Sequence, residues 1–191
     1  MRIIAGVAKG RTLSSVAGAT RPTSDRAREG LFSSLLSEFG DFLGLHFLDL
    51  FAGSGAIGLE ALSRGASIVH AVEKDASAAR TIKINSDLVE KSNTPGDFHL
   101  YAMSVQKFLE IPAPTSYHII YVDPPYDFPD AELYKCLLQL RAGGFVRDDA
   151  VIAVERASKS AVMKWPSGYE ALRERNYGQA VIYYGTLAEN G

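Results

Sequence analysis

Cysteine is almost missing from this chain. Among 191 residues Cys136 stands alone, surrounded by Leu133, Leu137, Leu138 and Leu140, which excludes a disulfide framework and a cysteine-based metal site and leaves a buried core thiol. Also missing is any apolar run near the ~20 residues a bilayer span requires. The start, Met1 to Gly6, is too short and too glycine-broken for a secretory signal. A soluble, cytoplasmic protein is therefore expected. Internal repeats and low-complexity tracts are absent. The histidines, His46, His70, His99 and His118, fall in or beside apolar runs without metal-ligand spacing to carboxylates, so no metal is expected. Net charge is small, −2 from 20 basic and 22 acidic residues. It excludes nothing until it is divided along the chain.

Divided, it is uneven. Residues 1–30 carry Arg2, Lys9, Arg11, Arg21, Arg26 and Arg28 against Asp25 and Glu29, a net +4 that leaves −6 for the remainder. A basic arm on an acidic body suits a polyanion, because each cation near a phosphate releases condensed counterions. A solvated charged surface would carry the same residues, and charge alone does not separate the two.

Apolar residues make up 47% of the chain, enough for one good-sized core and too little chain for two full domains. From Leu45 onward short apolar runs alternate with helical patterns. Residues 45–50, 68–73, 98–102, 119–123 and 151–155 read as strands; residues 56–64, 76–89, 105–109 and 131–140 place apolar side chains at helical spacing. Such alternation predicts a doubly wound, mostly parallel α/β sheet. Residues 169–177 and 179–187, turning at Gly178, predict an antiparallel hairpin that closes one sheet edge. Asp148 and Asp149 read as a solvated turn, and Arg156, Lys159 and Lys164 as a charged loop after the fifth strand. At the N-terminus, residues 3–8 and 11–15 flank Lys9-Gly10 as a small hairpin. A helix follows, with Ser24 as its cap, Ala27, Leu31, Phe32, Leu35, Leu36 and Phe39 as its buried stripe, and Arg26, Glu29 and Ser33 outside.

Two motifs carry chemistry. Asp49-Leu50-Phe51-Ala52-Gly53-Ser54-Gly55-Ala56-Ile57-Gly58 follows the first core strand and contains G-x-G-x-x-G. Its glycines permit a sharp turn and close ligand approach, and Gly58 permits helix packing on the strand. Glu73 ends the second strand about twenty residues on, where an acid accepts from ribose hydroxyls. Loop and acid together predict an adenosine-containing cofactor. NAD and S-adenosylmethionine proteins share this arrangement, and Asp49 favours the latter: an acid at the loop entrance repels a pyrophosphate but suits a sulfonium and an ammonium. The second motif, Asp123-Pro124-Pro125-Tyr126, ends the fourth core strand. Its prolines fix the backbone and hold a carbonyl outward at the sheet's carboxyl edge. An exocyclic base amine is a poor nucleophile, since its lone pair is delocalised. Donating its hydrogens to the Asp123 carboxylate and the Pro124 carbonyl would turn it towards tetrahedral geometry, while Tyr126 stacks on the base.

The glycine loop resembles the first motif of class I methyltransferases, and with the tetrapeptide it resembles their amine N-methylating members. The runs Arg2-Ile3-Ile4-Ala5-Gly6, Gly10-Arg11, Thr20-Arg21-Pro22-Thr23 with Arg26 and Arg28-Glu29, and Glu60-Ala61-Leu62-Ser63-Arg64-Gly65-Ala66 narrow this. Over nearly the whole chain they resemble the RsmD family. That resemblance implies S-adenosylmethionine-dependent methylation of a guanine N2 in small-subunit (16S) ribosomal RNA, on an assembled or assembling 30S subunit. It also implies an N-terminal extension, residues 1–40, in which Arg11, Arg21, Thr23 and Arg26 meet the RNA, followed by a methyltransferase domain, residues 41–191. Catalysis falls to Asp123, Pro124 and Tyr126, and cofactor binding to Asp49, Ala52, Gly53, Gly55 and Glu73. After the third strand many class I enzymes place an acid on the adenine amine. The run here is Tyr101-Ala102-Met103-Ser104, so Ser104, Met103 packing and backbone groups all stay open. A DNA adenine-N6 enzyme could use the same tetrapeptide but normally needs a sizeable target-recognition region. A silent nucleotide- or RNA-binding module would not need all these groups.

Overall fold

A computed structural model describes residues 1–16 and 25–189. The anticipated Ser24 cap, Arg21 and Thr23 lie outside the described residues. Within them the elements run α1 (Asp25–Phe39), β1 (His46–Leu50), α2 (Ala56–Ser63), β2 (Ile68–Val72), α3 (Ala76–Glu90), β3 (Asp97–Tyr101), α4 (Val105–Glu110), β4 (Tyr117–Val122), α5 (Asp130–Ala142), β5 (Val146–Ala157), β6 (Tyr169–Tyr177) and β7 (Ala180–Leu187).

The strands form one sheet in the order β3-β2-β1-β4-β5-β7-β6, parallel from β3 to β5 and antiparallel through β7 and β6. The strand order reverses between β1 and β4, the place where open α/β sheets leave a crevice at their carboxyl ends. Alternate side chains along each strand serve opposite cores, as a pleated strand requires. Phe47, Val69, Ile119 and Val151 pack with α1 and α2 on one face; Leu48, Leu50, Ile120 and Ile152 pack with α4 and α5 on the other. The predicted doubly wound sheet and its edge-closing hairpin are therefore present. Local signals explain the helix starts: the Asp75 carboxylate accepts from Ser77 N and Ala78 N to cap α3, and the Ser104 hydroxyl accepts from Lys107 N to cap α4.

Three elements differ from expectation. The N-terminal hairpin is reduced to one antiparallel bridge, Arg2 with Thr12, beside which Ile3 N donates to Arg11 O, because residues 4–8 turn backbone groups to α2 instead. Ile4 N and Ala5 N donate to the buried Glu60 carboxylate at 2.7 and 2.9 Å. Ala8 N donates to Ser63 Oγ, which donates to Ala5 O. Gly6 adopts φ +81° against this anchor, and a Cβ there would stand 1.8 Å from Ser63 O, so only glycine fits. Secondly, Asp148 and Asp149 lie inside β5. The register jumps from Tyr117↔Val146 to Ile119↔Val151, and the exposed acids occupy that bulge. Thirdly, Arg28 joins the buried face of α1.

Candidate active site

At the carboxyl ends of β1, β2, β4 and β5 the sheet opens into a cavity of about 570 Å³. The glycine loop and Asp123-Pro124-Pro125-Tyr126 both line it.

On the β1 and β2 side the loop turns through left-handed backbone at Phe51 (φ 66°), Gly53 (φ 56°) and Gly55 (φ 77°). For a phenylalanine such a conformation costs about 1 to 3 kcal/mol. It is retained where the Phe51 ring packs edge-on against Phe128, centroids 5.1 Å apart, which ties this loop to the one after β4. A Cβ at Gly53 would meet nothing within 4 Å, so its glycine serves the turn. Gly58 N donates to Asp49 Oδ2 at 3.0 Å, and a Cβ on Gly58 would press on Val69 at 3.1 Å. Glu73 spans the junction: Oε2 accepts from Gly53 N and Oε1 from Asp75 N, both at 2.8 Å. Burial, with the nearby Glu73 charge adding to it, pushes the Asp49 carboxyl up to about 7 despite the Gly58 bond.

On the β4 and β5 side Asp123 and Pro124 line the cavity and Tyr126 stands at its rim, 64% exposed. Phe128 N donates to Pro125 O, closing the turn. Arg156 proves to be a pin rather than a loop cation: its Nη2 bonds Asp130 Oδ1 at 2.7 Å and reaches Phe128 O at 3.5 Å. Beside Asp123 lies Glu155, buried, whose Oε2 accepts from the Tyr121 hydroxyl at 2.6 Å. Burial raises its pKa, and the tyrosine bond opposes that.

Asp49, Ala52, Gly53, Glu73, Met103, Asp123, Pro124 and Tyr126 thus gather around one cavity. Gly55 turns the loop at φ 77°, and a Cβ there would press on Ile82 at 3.3 Å. Ser104 is occupied as the α4 cap, and Met103, Val105 and Gln106 line the wall beside it. Arg11 is exposed on another part of the surface, with Nε on Ser92 Oγ at 3.2 Å, and Arg26 is exposed on α1. None of the four histidines lines the cavity. His70 Nδ1 bonds the Tyr117 hydroxyl at 2.6 Å within the sheet, and burial lowers its pKa to about 4.

Four further residues were given no role by the motifs, although Arg28 and Glu60 stand in the runs that carry the family resemblance. Arg28, fully buried, lines the cavity and bonds Arg2 O and Asp25 through Nη2; its Nε and Nη1 have no hydrogen-bond partner among the described residues. Asn85 on α3 accepts from Ser14 N and donates to Ser14 O and Ser54 O, clamping the N-terminal segment to the glycine loop. Glu60 anchors residues 4 and 5, and Glu155 completes the set. Each polar side chain occupies a position where periodicity calls for an apolar one, which is the signal that could have found them.

A family model described as "Conserved hypothetical protein 95" matches residues 1–186. Ribosomal RNA small subunit methyltransferase D of Escherichia coli is 33% identical over 180 residues, covering 94% of this chain and 86% of that protein. Its counterpart from Haemophilus influenzae is 32% identical over 93% of this chain and 89% of its own length. The solved structure of Escherichia coli YhhF, provisionally described as a methyltransferase, superimposes with a TM-score of 0.84 at 30% identity over 100% of this chain and 99% of that one.

Proposed function

The chain belongs to the RsmD family, and on that premise we propose that it moves a methyl group from S-adenosylmethionine to the exocyclic N2 amine of a guanine in small-subunit (16S) ribosomal RNA. The observation that carries this proposal is the single cavity joining Gly53 and Glu73 to Asp123, Pro124 and Tyr126, because methyl transfer needs both partners in one space.

The donor set fits the cofactor. Two acids, Asp49 and Glu73, lie close enough for one to raise the other's pKa, and such a pair welcomes a cationic ligand and repels a pyrophosphate. Glu73 holds the ribose hydroxyls, with Ala52, Gly53 and Gly55 shaping the loop, while Met103 packs on the adenine. S-adenosylmethionine, when bound, supplies an electrophilic methyl on a sulfonium. The protein's own work is to hold the amine. Asp123 and the Pro124 carbonyl accept its two hydrogens, aim the lone pair at the methyl carbon, and strengthen their bonds as the nitrogen gains positive charge. Asp123 is then placed to take the proton that nitrogen must lose. Tyr126 stacks on the base.

We also assign residues 1–40 as the extension that holds RNA through Arg11, Arg21, Thr23 and Arg26, residues 41–191 as the methyltransferase domain, an assembled or assembling 30S subunit as the working substrate, and the cytoplasm as the location. Among the described residues no helix is long and apolar enough to cross a membrane. Tritiated methyl transfer to small-subunit RNA, to 30S particles and to DNA in parallel tests the proposal. Label in either ribosomal substrate is expected; label in DNA alone would replace it with the adenine-N6 alternative.

A further inference from the structure

The polar floor of the cavity contains a carboxyl that methyl transfer itself does not use. In the parallel pairing of β4 with β5 the last partners are Val122 and Val154, so Asp123 and Glu155 follow side by side on strands spaced about 4.8 Å apart. Both line the large cavity, and both line a small recess beside it with Pro124 and Tyr126. Asp123 and Tyr121, two residues apart, share a face of β4, and the Tyr121 hydroxyl reaches Glu155 Oε2 at 2.6 Å. Tyr121 is buried in turn against the α1 face of the sheet. Glu155 is therefore an acceptor held in place by a rigid neighbour. Desolvating a carboxyl in this way costs stability, which is the pattern of a group kept for binding.

We propose that Glu155 is the residue that selects guanine, by accepting the ring N1–H next to the amine held at Asp123. The inference rests on the guanine-N2 assignment above and extends it to specificity. In guanine the N2 amine adjoins a second donor, N1–H, so two adjacent acceptors match its edge. In adenine and cytosine the exocyclic amine adjoins a ring nitrogen lone pair, which a carboxylate opposes. A site built around such a bond rejects a base lacking the donor far more strongly than packing alone can. Tyr121 acts as a positioning residue that fixes the carboxyl.

The test uses the full-length protein and small-subunit RNA carrying guanine or 2-aminopurine at the methylated nucleotide once that is mapped, assayed free and reconstituted into subunits. 2-Aminopurine keeps the amine but lacks O6 and carries a lone pair at N1 in place of N1–H, so the change of the ratio in the Glu155 variants, rather than the wild-type ratio alone, reports the N1 contact. The wild type should prefer guanine in kcat/KM by roughly 10²- to 10⁴-fold. Glu155→Gln keeps an oxygen for Tyr121 and offers N1 a donor, so it should narrow that ratio at least tenfold while cofactor affinity stays near wild type and thermal unfolding does not fall below it. Tyr121→Phe, which frees the carboxyl without removing it, should narrow the ratio less, and it decides the matter if Glu155→Gln fails to fold. No wild-type preference, or a ratio unchanged in the variants, would overturn the role of Glu155 while leaving guanine methylation standing. A wild type that methylates no guanine in any form of the substrate would overturn the parent assignment instead.

Discussion

The two sides of the cavity are built on opposite principles. On the β1 and β2 side the acids are already engaged by backbone: Asp49 by Gly58, and Glu73 by Gly53 and Asp75. On the β4 and β5 side the chemistry-bearing groups face the opening, with Tyr126 largely exposed and Glu155 held by one tyrosine hydroxyl. On the proposed function the first side serves as scaffold and cofactor seat at once, so damage there should cost binding. The second is supported from behind, by Arg156 on Asp130 and by Phe51 on Phe128, so its tips can change without disturbing the fold. Losses on that side should appear in turnover.

Asp123→Ala should break the comparison most sharply, lowering kcat by on the order of 10³-fold or more, since its bonds strengthen only in the transition state. Titration calorimetry should find S-adenosylmethionine affinity within a few-fold of wild type. Tyr126→Ala should cost about 1 to 3 kcal/mol in RNA-dependent kcat/KM, the worth of one stacked base, with cofactor affinity again unmoved. Measuring both constants for both variants shows whether the sides separate.

Asp49 sharpens the cofactor side. With its carboxyl raised to about 7, the charged form that attracts a cation fills as pH rises through 7, so S-adenosylmethionine affinity should climb several-fold between pH 6 and pH 8. Stability of the ligand-free protein should move the other way. The raised pKa favours folding below the unfolded value near 4, and that contribution is lost as pH rises through 7. Asp49→Asn should flatten both profiles, as followed by calorimetry and thermal unfolding across pH.

The smallest effect belongs to the basic segment. Replacing Arg11 or Arg26 by Gln should each reduce the slope of log RNA affinity against log salt by roughly 0.7 to 0.9 if it meets a phosphate. Thermal stability should hardly change, because both side chains are exposed.

How much of this was legible depends on which force set each feature. The sheet was readable because burial on both faces writes apolar runs, and the glycine loop because left-handed backbone at Gly53 and Gly55 demands glycine. The bulge in β5 was not: Asp148 and Asp149 look like a turn, since bulged residues leave the ladder and stay wet. Ser104 read as a candidate adenine partner because a serine after a strand can serve a ligand or cap a helix, and only the position of α4 shows the cap. Arg28, Glu60, Asn85 and Glu155 were left without a role for a common reason. Each is polar on a stripe that otherwise buries, and each has a partner far off in sequence: Arg28 lies 26 residues from Arg2, Glu60 56 from Ile4, Asn85 71 from Ser14 and Glu155 34 from Tyr121. Charge counting also treated Arg28 as one more surface cation, whereas its side chain is fully buried.

The central claim is that the Asp123 side of the cavity activates a guanine amine. It is tested most directly by digesting small-subunit RNA treated with wild-type protein or with Asp123→Ala, both at saturating cofactor, and identifying methylated nucleosides by mass spectrometry. N2-methylguanosine at one nucleotide with the wild type, and its loss with the variant, is the predicted result. A methyl group on adenine N6 or on a ring nitrogen, or undiminished N2-methylguanosine with Asp123→Ala, would contradict it.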